Sequence, residues 1–415
     1  MLENLLSKIE NDGSAELFFL LAGSLLLYAA QRLYAYCKRA ISRMRLKRAI
    51  KAYTARKEGI NVLDIANGDP EYTKENIFLR EASNLGRPKG LFISFPEKQL
   101  EELRKREAEA GYSGIQRAQF RPDESFNGTS DFSELAEITG IEDLVERINK
   151  NKVAVANDFI SKSSGFHFNG EKYGIFDFRQ TRFGEDEEPG VEINLFRTDY
   201  FTHRVFRSIY RDLKAEGHEI SKVRYWDDDF LKYRPFLTSF GINAVLICEG
   251  IKGREIVLSK RSTKVSGENS LYHVTMNEGL SQTDKDAFGR VDLELCFKRG
   301  LLEELGIDDD LYHLALRTAF YDFFLDKRNL EIGLSAVFEI DVNFTTEIEP
   351  LTGRDKNYES AGFQTIPLHT KQIARFVSAH DFVPHGLYVL ERVLMRNGIS
   401  IARLGTPAVG AMEND

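Results

Sequence analysis

The stretch that most constrains this chain lies near its start. Leu17 to Gln31 carries no charged residue, and extended to Cys37 it forms the segment 17–37. That is about 20 residues, enough to cross a bilayer as a helix. Arg32 sits close to one end, where a long basic side chain snorkels to the headgroups. Tyr28, Tyr34 and Tyr36 suit an interfacial aromatic belt. The leader 1–16 holds Glu3, Glu10, Asp12 and Glu16 against Lys8 alone. A secretory signal needs a basic n-region, so this leader argues against one. The flank 38–58 is crowded with Lys38, Arg39, Arg43, Arg45, Lys47, Arg48, Lys51, Arg56 and Lys57. The positive-inside rule then predicts a single-pass membrane protein with its N-terminus outside and its soluble domains cytosolic. The basic helix directly after the span is expected to meet anionic lipid headgroups.

The formal net charge of −8 weighs against a nucleic-acid partner, which calls for a basic stripe. Cys37, Cys248 and Cys296 are too far apart for a disulfide framework or a zinc site, and fit a reducing compartment.

Residues 59–235 read as a mixed α/β region of no recognisable type. A short buried strand is expected over Gly90–Phe95. Pro96 suits the first turn of a helix running to Ala110, which Gly111 ends. Further helices are expected over Ile138–Ile148 and Thr202–Leu213, with strands over Tyr173–Arg179 and Val191–Phe196. Phe196 to His203 is dense in aromatic and polar groups and reads first as a strand-to-helix corner, second as a pocket wall.

Residues 236–395 are the most informative, ahead of a tail at 396–415. Phe240–Cys248 and Glu255–Arg261 read as a strand hairpin. A polar loop, Tyr272–Gly279, precedes a helix from about Asp292. Strands follow near Arg317–Leu325, Glu331–Val342 and Phe363–Pro367, and a helix over Pro384–Arg396 closes the region.

The helix from Asp292 ends Arg299-Gly-Leu-Leu-Glu-Glu-Leu-Gly-Ile307. With the hairpin and loop before it, this resembles the Nudix family, whose signature is G-x5-E-x7-R-E-U-x-E-E-x-G-U, U being a bulky aliphatic residue. Arg299, Leu301, Glu303, Glu304, Gly306 and Ile307 fall on its fixed positions. The resemblance covers roughly the last 40% of the chain. It implies an α+β protein ending in an α/β/α sandwich that binds nucleotide diphosphate-linked molecules. It also implies acidic helix positions that hold Mg2+ or Mn2+, hard cations suited to carboxylate oxygen. Arg299, Glu303 and Glu304 are then the catalytic candidates, with Arg299 one turn before Glu303 and placed to orient it. His273, Asn277 and Glu278 on the loop are candidates for ligand contact.

The match is imperfect. Position 300 is Gly where the family has an acid, and the upstream Glu and Gly fall on Val291 and Lys285. Glu278 and Glu359 are candidate substitutes, giving a metal set of Glu303, Glu304, Glu278 and Glu359. Glu294 is about half a turn round the helix from Glu303 and is set aside. Three functions stay open: a metal-dependent hydrolase, an inactive nucleotide sensor coupled to the membrane helix, and a scaffold for protein contacts. A homo-oligomer is compatible with each. No phosphate-loop, H-E-x-x-H, paired C-x-x-C or G-x-S-x-G motif is present. The histidines are not spaced as metal ligands.

Overall fold

The computed structural model describes residues 71–109, 119–161, 169–185, 187–222, 231–251, 253–263 and 270–399, the strand 60–63, and parts of 23–37. The strands are β1 (Ile60–Leu63), β2 (Ile77–Glu81), β3 (Ser83–Asn84), β4 (Arg87–Pro88), β5 (Glu171–Phe183), β6 (Glu188–Asp199), β7 (Phe240–Gly250), β8 (Gly253–Arg261), β9 (Tyr272–His273), β10 (Met276–Gly279), β11 (Ala315–Asp326), β12 (Glu331–Asn343) and β13 (Ser360–Pro367).

One sheet runs β1-β11-β12-β7-β8-β13, with β10 added to β7 and β9 to β8. β7 and β12 pair in parallel, Ala244 opposite Ala336. Successive side chains of a strand point to opposite faces, and β7 divides its residues accordingly. Ala244, Leu246 and Cys248 join one core, whereas Val245 and Ile247 join another. The first core receives the helix Leu293–Leu305, whose Phe297 ring lies 5.8 Å from Phe320 and 5.9 Å from Phe338. The second receives the helices Thr370–Ala379 and Pro384–Arg396, with Tyr388 5.4 Å from Phe324. Sheet between helices is thus the arrangement around the site.

A second sheet, β2-β6-β5, lies against the first through a shared core containing Phe178, Phe240 and Phe323. β5 is also stitched to the neighbouring segments: Ile175 N–H donates to Leu237 O at 2.8 Å and Tyr173 N–H to Leu280 O at 3.2 Å. The helices Glu97–Glu109, Ser133–Thr139, Leu144–Ser161 and Tyr200–Ala215 cover this part. The helix expected over Ile138–Ile148 is two helices, because Gly140 adopts the left-handed conformation (φ 68°) and caps the first. Gly90–Phe95 is extended and buried, but it makes only isolated bridges to Arg197 and Glu124 rather than a strand ladder.

The expectation at 17–37 is corrected. Among the described residues no helix is long and apolar enough to cross a membrane. Of that segment, residues 23, 26–34 and 37 are described, and all are helical. They include Gln31 and Arg32, whose Nε donates to Tyr28 Oη at 3.0 Å. The described residues form a mixed α/β fold with no membrane-spanning helix among them. The single-pass placement, N-terminus outside and domains cytosolic, falls with the predicted span. The leader 1–16, the basic flank 38–58 with its expected lipid contact, and residues 400–415 lie outside the described residues.

Candidate functional site

The Leu293–Leu305 helix starts where Asp292 accepts hydrogen bonds from the Glu294 and Leu295 N–H groups, satisfying donors that the first turn leaves free. It stops at Gly306, left-handed at φ 84°. Its inward face carries Cys296, Phe297, Gly300, Leu301, Glu303 and Glu304, all buried. Two buried carboxylates on an apolar face need a reason, since an unpaired buried charge is costly.

Gly300 is the point of closest approach to β10. A Cβ there would stand 2.7 Å from Glu278 Cβ and 2.7 Å from Met276 Sδ. The missing acid at 300 is thus a packing requirement, and the Glu278 side chain fills the space facing it. Glu278 Oε1 accepts from Gly279 N at 3.0 Å and pairs with Arg299 Nη1 at 2.9 Å.

Arg299 is the hub. It binds both oxygens of Asp284, from Nε and Nη2, each at 2.8 Å, and Nη2 also reaches Gly279 O at 2.8 Å. Glu303 lies 3.6 Å from Nη1. Burial opposes the Arg299 charge, but Asp284 and Glu278 outweigh it and raise the guanidinium's proton affinity. Asp284, 3% exposed, is the residue that sequence reasoning missed, having looked to 285 and 291 instead.

Glu303 pairs with Arg354. Burial nevertheless leaves its carboxyl above the ordinary range, the two arginines only partly offsetting it. The segment after Arg354 is clamped to the end of the same helix. Asp355 N–H donates to Glu303 O at 2.9 Å, and Lys356 Nζ donates to the Leu305, Ile348, Glu349 and Leu351 carbonyls at 2.8–3.3 Å. Lys356 thereby fixes the short helix Lys356–Glu359 that ends in Glu359.

Glu304 and Glu359 differ from the other two. Glu304 accepts one hydrogen bond, from Asn277 N at 2.9 Å. Burial, then the charges of Glu359 and Glu278, drive its carboxyl well above the usual range. Burial and the Glu278 charge push Glu359 up to about 7. Arg261 and Lys172 act on Glu359 from a distance, and Arg261 Nε is buried without a hydrogen-bond partner among the described residues. The structure therefore gathers Glu278, Glu303, Glu304, Glu359, Arg299 and Asn277.

His273 faces elsewhere. Its Nε2 and that of His385 share a hydrogen bond at 2.8 Å, and His385 Nδ1 lies 3.0 Å from Asp326. Glu294 binds Lys74 on the far side of the helix.

Among the described residues no group of three or more His, Cys, Asp or Glu side chains is arranged to hold a metal ion. Glu278 and Glu303 are held by arginines. Glu304 and Glu359 are not, and as hard oxygen donors they fit a divalent cation that is completed by ligand phosphate and water. Two surface clefts, of about 660 and 800 Å3, lie away from these acids. One runs beside Lys98, Lys105 and Arg106, the other between Lys74, Arg80 and Arg290.

No family model matches the chain, and no curated protein matches it. Solved structures that match part of it include the Nudix domain of Shewanella oneidensis NrtR complexed with ADP ribose. That match has 14% identity and a TM-score of 0.24, over 38% of this chain and 87% of that one. A C. elegans Ap4A hydrolase matches at 12% identity and a TM-score of 0.25, over 39% and 98%. A MutT/Nudix family protein from Listeria innocua matches at 16% identity and a TM-score of 0.25, over 39% and 94%.

Proposed function

We propose that residues 236–395 form a Nudix-like unit that binds a nucleotide diphosphate-type ligand together with a divalent cation and hydrolyses the diphosphate. One observation carries this reading. Glu304 and Glu359 are neighbouring acids with no cationic side chain in ion-pair contact among the described residues, and the proton affinity of each is raised, that of Glu304 in part by the Glu359 charge. Such a pair is relieved by a bound cation. Magnesium is commonly held by one or two carboxylates plus ligand phosphates rather than by an all-protein cage. When bound it neutralises phosphate charge and makes water more acidic. Arg299 keeps Asp284, Glu278 and the helix in register, and Glu303, tied to Arg354, closes the acidic face.

The test is ADP-ribose calorimetry beside a magnesium-dependent turnover assay. Glu304→Gln is expected to lower turnover by about 100-fold or more while ADP-ribose still binds, since an amide is a poor ligand for a hard cation. Turnover that ignores this change would sink the reading. A second reading, binding without cleavage, draws on the steric exclusion of an acid at Gly300. It is distinguished by tight ADP-ribose binding with no product. Absence of binding leaves the scaffold role.

Proton competition gives a further expected result. The Glu359 carboxyl titrates near 7 in the folded chain, against 4.5 ordinarily. From about pH 4.5 to 7 the folded state holds the extra proton, so this group's contribution to stability falls as pH rises through that window. A cation must displace that proton. Mn2+ affinity, read by electron paramagnetic resonance, should therefore fall as pH is lowered from 8 to 5. Glu359→Gln should make the pH dependence shallower, leaving the proton on Glu304 as the remaining competitor. An affinity independent of pH between 5 and 8 would exclude Glu359 as a ligand.

A further inference from the structure

We propose that Lys172, which lies on β5 outside the 236–395 unit, grips an anionic phosphate of the ligand, so that the second sheet completes the site. This rests on the nucleotide-ligand reading above and adds a residue and a region that the signature does not contain.

Three observations converge on it. The first is placement. Gln282 Nε2 donates to Lys172 O at 2.9 Å, and the next residue, Tyr173, donates its N–H to Leu280 O at 3.2 Å. The backbone at Lys172 is therefore registered against the segment that leaves β10. Gln282 Nε2 also reaches Thr198 O at 2.8 Å, which ties β6 into the same joint.

The second is reach. The Lys172 ammonium passes over Gly279, where a Cβ would meet Nζ at 2.8 Å. Gly279 follows Glu278 directly, and glycine leaves the ammonium room to stand at the edge of the acidic face.

The third is that this cation is uncommitted. Its charge acts on Glu278 and Glu359, lowering the proton affinity of both. Yet no described carboxylate stands within ion-pair distance of Nζ, and no described acceptor takes its hydrogens. Most neighbouring cations are occupied: Arg299 by Asp284 and Glu278, Arg354 by Glu303 and Asp355, Lys285 and Arg197 by Glu81. Arg261 also acts on Glu359, but its Nε is buried, whereas the Lys172 side chain is half-exposed. A lysine that served only to neutralise the acids would close to contact with one of them, because Coulomb attraction grows as separation shrinks. Lys172 is half-buried and stands off. A half-buried ammonium with three donors and no acceptor is suited to a phosphate group, which lysine binds as a compact point charge. The carboxylates with their cation would hold one side of a diphosphate, and Lys172 the other.

The experiment uses the full chain, titrated with ADP-ribose at saturating magnesium, and separately with Mn2+ in the absence of nucleotide. Lys172→Met is expected to weaken ADP-ribose binding by about 10-fold or more, the usual loss for a charged hydrogen bond. Its salt dependence should become shallower, and Mn2+ should bind at least as tightly as to wild type. Lys172→Arg should restore ADP-ribose affinity to within about threefold, since the charge is kept. Lys172→Gln, which retains most of the stem, should behave like the methionine variant and guards against a folding defect. Unchanged ADP-ribose affinity in Lys172→Met and Lys172→Gln, with tighter Mn2+ binding, would make Lys172 a mere screen for the acids and overturn the proposal. A wild type that binds Mn2+ but no ADP-ribose would instead remove the nucleotide reading, and this inference with it.

Discussion

Arg299→Met is expected to destabilise the chain by about 3–5 kcal/mol, the usual consequence of removing one partner of a buried ion pair. The loss falls mostly on Asp284, 3% exposed, which would keep a buried charge with both guanidinium hydrogen bonds gone. Glu278 and the Gly279 carbonyl lose a partner at the same time. Arg299→Lys should recover only part of the loss, because an ammonium cannot present the planar fork that grips both Asp284 oxygens. Adding Asp284→Leu to Arg299→Met should restore stability, since replacing both members of a buried pair by apolar groups is often neutral. Urea unfolding of the three variants checks this. A double variant no more stable than Arg299→Met would place the cost elsewhere than in the uncompensated carboxylate.

The second large effect is steric. Gly300→Glu would bring the sequence closer to the family signature, and from sequence alone it reads as a gain of function. The structure reverses that expectation. The new Cβ would stand 2.7 Å from Glu278 Cβ and from Met276 Sδ, so the helix and β10 must separate. Overpacking of this kind costs about 3 kcal/mol, more than offsetting the ~1 kcal/mol that a helical glycine forgoes. The added carboxylate would also meet Glu278 and Glu304, whose proton affinities are already raised. A lowered melting temperature with no increase in turnover is expected. Gly300→Ala should show most of the same loss, because the clash begins at Cβ. A variant as stable as wild type would mean that the helix and strand are not in this contact.

How much of this the sequence carried depended on how local the signal was. The Leu293–Leu305 helix is written in its own residues, with Asp292 at one end and Gly306 at the other. β7 is a near-continuous apolar run, as a strand buried on both faces requires, and β8 carries Ile256, Val257 and Leu258 at its centre. The residues 272–279 read as a loop because their polar groups outnumber the apolar ones. Val274 and Met276 are nonetheless buried, and β10 pairs with β7 from Met276 opposite Ala244 to Gly279 opposite Gly241. The apolar run at 17–37 illustrates the opposite error, in which local hydropathy suggests a span that no helix among the described residues provides.

Long-range partners were not legible. Glu278 and Glu359 emerge from the sequence as substitute acids only as carboxylates on the loop before the helix and near the last strands. That Gly300 and Glu278 share one space follows from strand-to-helix packing, which no spacing rule encodes. His273 and His385 looked unrelated, yet the fold puts their rings in hydrogen-bond contact. Lys172, more than a hundred positions before the helix, reaches the acids only because β5 is stitched to the segment after β10. Asp284 stayed hidden because it pairs with Arg299 from a turn rather than from the helix.

The central claim is that Glu304 and Glu359, buried acids with no cationic side chain paired to them among the described residues, are where a cation and a diphosphate meet. The most direct measurement is a crystal structure of the full chain with ADP-ribose and Mn2+, with manganese located by anomalous scattering. A peak between the Glu304 and Glu359 carboxylates, sharing an oxygen of the diphosphate, is the expected result. Manganese absent from these carboxylates, with ADP-ribose seated instead in the cleft beside Lys74, Arg80 and Arg290, would contradict it.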